Sequence, residues 1–255
     1  MNVMGEKTIR DLGVIYMSGM SEQVAAHFGT TIELRLSQVK ALADAVPAGR
    51  YAEGNKLRIE LAYHARSMGF MVYGSQVSAD VPEALHRSVQ GGKYNVCAGR
   101  DEEGANVVLM GVPAVYPMGD GQESMAIVAG LPTSYLGDML EGSIKSDMMI
   151  RYSIIRKDGS YVLRNSASEE NTYFEHIEIQ NEMYHENRSE QYAEELREAL
   201  ECDRDYTDEM ILSDERWIVY CTNLPNSEWH LLLEVSHNKL DETVNNLQRI
   251  WSLAS

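Results

Sequence analysis

The fold of this chain is decided by Ile218-Val219-Tyr220-Cys221-Thr222-Asn223-Leu224-Pro225 and by the run that follows, His230-Leu231-Leu232-Leu233-Glu234-Val235. The same order occurs earlier, at residues 108–113 and 126–131. In each copy an apolar strand ends at a proline, which removes a ladder donor, and a second apolar strand then runs into a helical segment. The sequence therefore predicts a duplicated antiparallel sheet unit.

Further elements extend outward from these two copies. Strands are predicted at 70–77, 94–98, 107–115 and 124–131 in the first unit, with helices at 53–69, 82–89 and 134–140. The second unit is predicted to open with a hairpin at 149–155 and 161–164, because Asp158-Gly159 is a strong turn signal. Helices at 173–177 and 190–200, strands at 216–222 and 228–235, and a final helix at 238–251 follow.

A long helix is predicted at residues 8–46, where apolar residues recur at helical spacing until Pro47. At about 1.5 Å per residue it would approach 60 Å. A helix of that length must span two packed units, protrude, or pair with a copy of itself. Gly13, Gly19 and Gly29 lower its intrinsic propensity, so we expect tertiary or dimer contacts to hold it.

The composition excludes several classes of function. The 255 residues carry 39 acidic and 22 basic side chains, a formal net charge of −17, which disfavours binding to nucleic acid or to an anionic bilayer. The sequence has no run of apolar residues long enough to cross a membrane. We therefore expect a soluble chain with no nucleic-acid partner, whose membrane attachment, if any, lies in flanking segments.

The cysteines do not predict a disulfide framework. There are three of them, Cys97, Cys202 and Cys221, and they form no Cys-x-x-Cys pair. Cys97 and Cys221 lie among apolar strand residues, so we expect them to be buried free thiols.

The order of these elements resembles the double Cache family, the tandem PAS-like extracytoplasmic sensor domains of bacterial transmembrane receptors. Two phrases carry the resemblance: Ile154-Ile155-Arg156-Lys157-Asp158-Gly159-Ser160-Tyr161-Val162 and Leu224-Pro225-Asn226-Ser227-Glu228-Trp229-His230-Leu231. The resemblance extends from about residue 8 to about residue 250. It implies an α+β fold in which a long N-terminal spine helix is followed by two PAS-like antiparallel-sheet units and a C-terminal exit helix.

On this resemblance the chain divides into a spine helix (1–50), a membrane-distal unit (51–145), a membrane-proximal unit (146–236) and an exit helix (237–255). The family implies an extracellular or periplasmic domain that binds a small ligand in the distal unit and passes a helix shift across the membrane. The output domains of such receptors include diguanylate cyclases, histidine kinases and chemoreceptors. The alternative is a secreted or surface binding protein without signalling output.

One stretch departs from the family. Members that bind amino acids usually carry an aspartate at the end of the distal unit's last strand, where this chain has Gly130-Leu131-Pro132-Thr133.

Motifs for catalysis, metal binding and phosphate binding are missing from the sequence. No His-x-x-x-His pair, Gly-x-Ser-x-Gly elbow or phosphate-binding glycine loop occurs, so we expect no catalytic residues, no metal ligands and no cofactor. The chain is predicted not to be an enzyme.

The distal unit contains a set of tyrosines and an arginine that suit a small polar ligand: Tyr73, Tyr94, Arg100, Tyr116 and Tyr135. A phenol packs its ring on a sheet while its hydroxyl orients a ligand, and a guanidinium pairs with an anion. The alternatives are that the tyrosines complete the core or face solvent, and that Arg100 forms an ion pair at a hairpin end. A homodimer through the spine helix is the expected assembly.

Overall fold

The structure is a computed structural model, and it describes residues 3–45, 54–72, 85, 95–100, 106–116, 123, 126–144, 150–167, 169–184, 189–212, 215–240 and 242. The first part of the chain forms helices α1 (Val3–Ala45) and α2 (Gly54–Ser67), strands β1 (Met71–Val72), β2 (Asn95–Arg100), β3 (Asn106–Pro113) and β4 (Ala126–Pro132), and helix α3 (Ser134–Ser143). The second part forms β5 (Arg151–Arg156), β6 (Tyr161–Arg164), α4 (Tyr173–Tyr184), α5 (Ser189–Glu201), β7 (Tyr206–Leu212), β8 (Glu215–Asn223) and β9 (Trp229–Ser236). The predicted α+β fold with a long N-terminal helix is confirmed.

The chain divides into two compact units. Residues 28–136 form one of them, called here the N-terminal sheet unit. Residues 1–27 together with 137–255 form the other, the C-terminal sheet unit. The division falls within α1, so each unit contains part of the long helix.

Helix α1 buries a narrow stripe of its surface. Met17, Val24, Phe28 and Ile32 are fully buried. Another side is exposed even where it is apolar: Leu12, Ile15 and Tyr16 are 46%, 68% and 42% exposed. The buried stripe therefore lies on a different side of the helix from these three residues.

The two sheets have the same strand order. In the N-terminal sheet the order is β1-β4-β3-β2, and in the C-terminal sheet it is β6-β5-β9-β8-β7, with every pair antiparallel. If β5, β9, β8 and β7 are matched to β1, β4, β3 and β2, the orders agree, and β6 is an additional edge strand. This agreement is what duplication of the sheet unit predicts.

Strand β7 is the one element of the second sheet that the sequence patterns did not predict. Its residues pair with β8 from Tyr206 opposite Cys221 to Leu212 opposite Glu215. Charged residues at Asp208 and Glu209 interrupt the apolar alternation. The duplication was nevertheless a usable signal, because β2 precedes β3 in the first unit and a counterpart should precede β8.

The predicted hairpin between β5 and β6 is present. The Asp158 carboxylate accepts hydrogen bonds from the backbone nitrogen of Ser160 at 2.9 Å and from its hydroxyl at 2.6 Å, which closes the turn. Gly159 has φ +82°, and a Cβ at this position would collide with the ring of Phe174. Only glycine meets both conditions without strain.

The C-terminal sheet packs one face against helices α4 and α5. Ile155, Val219 and Leu232 on the sheet contact Phe174 and Leu196 on the helices in one buried core. The predicted exit helix begins after β9, with residues 237–240 and 242 helical, and its predicted remainder lies outside the described residues.

The three cysteines are free, with Cys97 and Cys221 buried, as predicted, and Cys202 exposed. Burial raises the pKa of the Cys221 thiol to about 12.

Among the described helices none combines the length and the apolar character that a membrane span requires.

Candidate functional site

Two of the predicted ligand residues, Tyr116 and Tyr135, contact the long helix. The Tyr116 side chain is 2% exposed, and its hydroxyl donates to the backbone oxygen of Ala43 at 3.1 Å. Burial, and to a lesser degree the nearby Asp44, raises the pKa of Tyr116. The Tyr135 hydroxyl accepts a hydrogen bond from Nε of Arg35 at 3.2 Å, and the guanidinium carbon lies 4.7 Å from the Tyr135 ring centre. Both phenols therefore connect the N-terminal sheet unit to α1.

The other three predicted residues are placed differently. Arg100 is exposed at the end of β2, opposite Asn106 of β3. Tyr73 and Tyr94 lie outside the described residues. They belong to the segment between β1 and β2, of which the described Leu85 packs on the sheet with Cys97. The ligand site in the N-terminal sheet unit remains a prediction.

The C-terminal sheet unit contains a cavity of about 630 Å³. It lies beside the core that α4 and α5 cover, toward the end of β9 from which the exit helix begins. Its lining includes Arg151, Ser153, Tyr161, His176, Glu215, Trp217, Glu234 and Ser236. Ligand sites for small molecules commonly have volumes of about 300–1,000 Å³ and combine aromatic walls with a few polar groups.

Glu234 is the buried acid of this cavity. It is 7% exposed, and its Oε1 accepts a hydrogen bond from the Tyr173 hydroxyl at 3.0 Å. The Tyr192 hydroxyl lies 2.9 Å from that of Tyr173, so a chain of hydrogen bonds joins two buried phenols to the carboxylate. Burial raises the pKa of Glu234, while the Tyr173 hydrogen bond and the charges of His176 and Arg151 act in the opposite direction.

The two phenols respond to the same surroundings. Burial first, and then the charge of Glu234, raises the pKa of Tyr173 well above its ordinary value. The pKa of Tyr192 is likewise raised, mainly by burial. Both hydroxyls therefore stay protonated: that of Tyr173 donates to the carboxylate, and that of Tyr192 forms a hydrogen bond with the Tyr173 hydroxyl.

Arg151 is the cation nearest to Glu234 along the sheet register. The two residues are direct cross-strand partners in β5 and β9. The guanidinium nevertheless extends across β9 to the ring of Trp217 on β8, with its carbon 4.2 Å from the ring centre. The Glu234 carboxylate and the Arg151 guanidinium thus belong to two residues that line the same cavity and form no salt bridge with each other.

Glu234 could have been singled out from the sequence. It is the only charged residue in the run Leu231-Leu232-Leu233-Glu234-Val235, and it shares the strand face of Leu232. A charge on the buried face of a strand is expected to have a partner or a function. The Tyr173 and Arg151 contacts, in contrast, come from elements distant in sequence and carry no local signal.

No group of three or more His, Cys, Asp or Glu side chains suited to a metal ion occurs among the residues that the structure describes.

No protein-family model and no curated protein matches the chain. Solved structures do match. The ligand-binding domain of the amino acid chemoreceptor PctB of Pseudomonas aeruginosa PAO1, in complex with L-Arg, superposes with a TM-score of 0.61 at 12% identity, over 92% of each chain. The extracellular domain of the candidate histidine kinase mmHK1S-Z3 has a TM-score of 0.59 at 9% identity, over 92% of this chain and 98% of that one.

A third match is the methyl-accepting chemotaxis protein X, with a TM-score of 0.53 at 12% identity, over 87% of this chain and 99% of that one. At such identities the likeness concerns the fold. It extends over nearly the whole length of both partners in each comparison. The chain therefore has the double Cache fold of the extracellular ligand-binding domains of chemoreceptors and histidine kinases.

Proposed function

We propose that this chain is the extracellular or periplasmic small-molecule-sensing domain of a bacterial transmembrane signalling receptor. The observation that carries the proposal is the double Cache fold, shared over 92% of both chains with a chemoreceptor domain that was solved with L-Arg bound. A sensing domain binds ligand and leaves catalysis to other domains, which agrees with the sequence motifs. The output domain belongs to another part of the receptor. Diguanylate cyclases and histidine kinases are the output classes that we propose.

We place the ligand in the N-terminal sheet unit, at the predicted group of Tyr73, Tyr94, Arg100, Tyr116 and Tyr135. Tyr116 and Tyr135 support this placement because both contact α1. A ligand that moved either phenol would bias the position of the helix directly. Differential contact of this kind is what a helix-shift mechanism requires.

The exposed side of α1 supports a homodimer through the spine. One set of its exposed positions recurs at intervals of three and four residues, as in a coiled-coil seam. None of them carries a charge: Leu12, Tyr16, Gly19, Gln23, Ala26, Thr30, Leu34, Ser37 and Ala41. An uncharged exposed strip along a helix this long suits pairing with a second copy.

The first test is a thermal-shift screen of the purified domain against amino acids, carboxylic acids, polyamines, purines and sugars. Selective binding to the native state raises the unfolding midpoint by mass action. We expect a rise with one class that is diminished in Tyr94→Phe and Tyr116→Phe. Tyr63→Phe is the matched control, because Tyr63 on α2 is 70% exposed.

A rise that survives both variants would show that the ligand site does not include the predicted tyrosines.

The open reading frame that encodes this domain distinguishes a receptor from a secreted binding protein. Membrane spans on both sides, followed by a cytoplasmic effector, are expected for the receptor. A frame with neither would contradict it.

A further inference from the structure

The cavity of the C-terminal sheet unit has no part in the function proposed above, which places ligand in the other unit. Its volume of about 630 Å³ suits a small organic molecule. The sheet face that lines it is otherwise filled by the core around Leu232. The cavity is therefore an opening beside a packed core.

The Glu234 carboxylate forms no salt bridge with any described residue, although the charges of His176 and Arg151 favour its ionised form. Its hydrogen-bond donor is the hydroxyl of Tyr173, a neutral group that occupies one oxygen. A buried carboxylate is normally paired with a cation or saturated with hydrogen bonds, because losing hydration is costly. One further donor, above all a positively charged one, would complete its coordination.

The sheet itself does not need an acid at this position. When β9 is matched to β4 by the repeated sequence, the counterpart of Glu234 is Gly130. The two sheets have the same strand order, and one of them has no side chain there. The acid at this position is therefore specific to the C-terminal sheet unit, where it lines the cavity.

Arg151 supplies the opposite charge. It forms no ion pair with any of the described residues, although its cross-strand partner is Glu234. Its guanidinium lies over the Trp217 ring instead, and Arg151 is one of the residues that line the cavity. Stacking of this kind preorganises a guanidinium to receive a carboxylate.

The other charges that line the cavity are already engaged. Glu215 accepts hydrogen bonds from the Ser236 hydroxyl and from Nδ2 of Asn238, the latter at 2.9 Å. Lys239 pairs with Glu242 at 3.1 Å. Glu234 and Arg151 thus determine which charged groups a ligand should carry.

We propose that this cavity is a second ligand site, which binds a small zwitterion with its ammonium group at Glu234 and its acid group at Arg151. A simple amine would meet Glu234 but also the Arg151 charge. A simple carboxylate would meet Arg151 but also the Glu234 charge. A molecule with both groups satisfies both residues, and the aromatic rings of Trp217 and Tyr161 cover its carbon chain.

The test is titration calorimetry of the intact domain with straight-chain ω-amino acids from glycine to 6-aminohexanoate. Pentanoate and pentylamine are the singly charged controls for 5-aminopentanoate. The variants are Glu234→Gln, which keeps the size and the acceptor for Tyr173, and Arg151→Gln. Glu194→Gln is the matched control, because Glu194 is an exposed acid on α5.

We expect at least one ω-amino acid to bind the wild type and Glu194→Gln, and to lose about tenfold or more of its affinity in Glu234→Gln and Arg151→Gln. Tyr116→Phe in the N-terminal sheet unit should leave this binding unchanged. Circular dichroism and the urea midpoint verify that each variant is folded. The proposal is overturned if no ω-amino acid binds, if binding is insensitive to Glu234→Gln, or if pentylamine or pentanoate binds as tightly as the zwitterion.

Discussion

The guanidinium of Arg151 extends across strand β9 and lies 4.2 Å from the ring centre of Trp217, although Arg151 is the direct cross-strand partner of Glu234. The arginine therefore packs on an aromatic ring and forms no salt bridge with the adjacent acid, although its charge favours the ionised carboxylate. Cation–π contacts of this kind contribute about 0.5–2 kcal/mol, depending on how far they are removed from water.

Replacing Arg151 by methionine should lower the free energy of unfolding by about 0.5–1 kcal/mol, because the side chain keeps its apolar stem and loses the contact with Trp217. Urea unfolding measures the change. Arg204→Met is the control, since Arg204 is exposed and forms only a surface ion pair with Glu198 at 3.5 Å. Equal effects of the two variants would mean that the Trp217 contact is no stronger than a surface pair.

Replacing Glu234 by glutamine should stabilise the protein at neutral pH. The folded state raises the pKa of Glu234, so the folded protein holds a proton that the unfolded chain has already lost. Wild-type stability therefore falls as the pH rises from the ordinary glutamate pKa to the raised one, by about 1.4 kcal/mol for each pH unit that separates the two pKa values. Glutamine has no such dependence and still accepts the Tyr173 hydrogen bond.

The measurement is the difference in urea midpoint between Glu234→Gln and wild type from about pH 4.5 to pH 7.5. We expect the difference to be small at the acidic end and to grow in favour of the variant as the pH rises. Glu194→Gln should give a nearly constant difference over the same range. A Glu234→Gln variant that is less stable at neutral pH would show that the carboxylate is well stabilised without ligand.

Gly13 and Gly19 of helix α1 should respond oppositely to alanine. A Cβ at Gly13 would lie 2.7 Å from Cδ1 of Leu240 and 2.8 Å from Cδ1 of Ile218, whereas a Cβ at Gly19 meets nothing within 4 Å. Gly19→Ala should therefore stabilise by about 0.5–1 kcal/mol through helix propensity. Gly13→Ala should destabilise by about 1–3 kcal/mol through overpacking.

Thermal unfolding of the two variants at low protein concentration, where the monomer predominates, separates these effects. Gain of stability in both variants would show that α1 does not pack closely on β8 at Gly13.

Cysteine cross-linking tests the spine dimer. Gln23→Cys, made together with Cys202→Ser to remove the exposed native thiol, should form a disulfide-linked dimer under mild oxidation, because Gln23 lies on the uncharged strip of α1. Glu22→Cys in the same background points about 100° away around the helix and should cross-link much less. Non-reducing electrophoresis measures both. Equal cross-linking would be evidence against a seam at this strip.

The sequence predicted most of the sheet elements because their patterns are local. The Asp158-Gly159 turn and the apolar runs of β8 and β9 depend on neighbours in the chain. Strand β7 was missed since its edge position allows charged residues such as Glu209 among the apolar ones. Helix α4 continues to Tyr184, beyond the predicted end at residue 177, although its second half is largely polar.

The C-terminal cavity was not predicted at all. Its charges come from separate strands, and Arg151 contacts Trp217 through the order of strands in the sheet, which a single sequence does not display. Burial of Glu234 also depends on α4 and α5 covering the sheet. Tyr116 and Tyr135, in contrast, were predicted as ligand residues from the chemistry of their side chains. Their hydrogen bonds with Ala43 and Arg35 of α1 could not be predicted from the sequence pattern.

The division of the chain within α1 has a consequence for how the protein is made. Residues 28–136 are contiguous, whereas the C-terminal sheet unit combines residues 1–27 with 137–255. During synthesis the contiguous unit can complete its core first. The first turns of α1 cannot be packed until β8 and the segment containing Leu240 have been synthesised. Residues 1–27 thus precede the contiguous unit in synthesis but complete their packing after it, once β8 and Leu240 have been made.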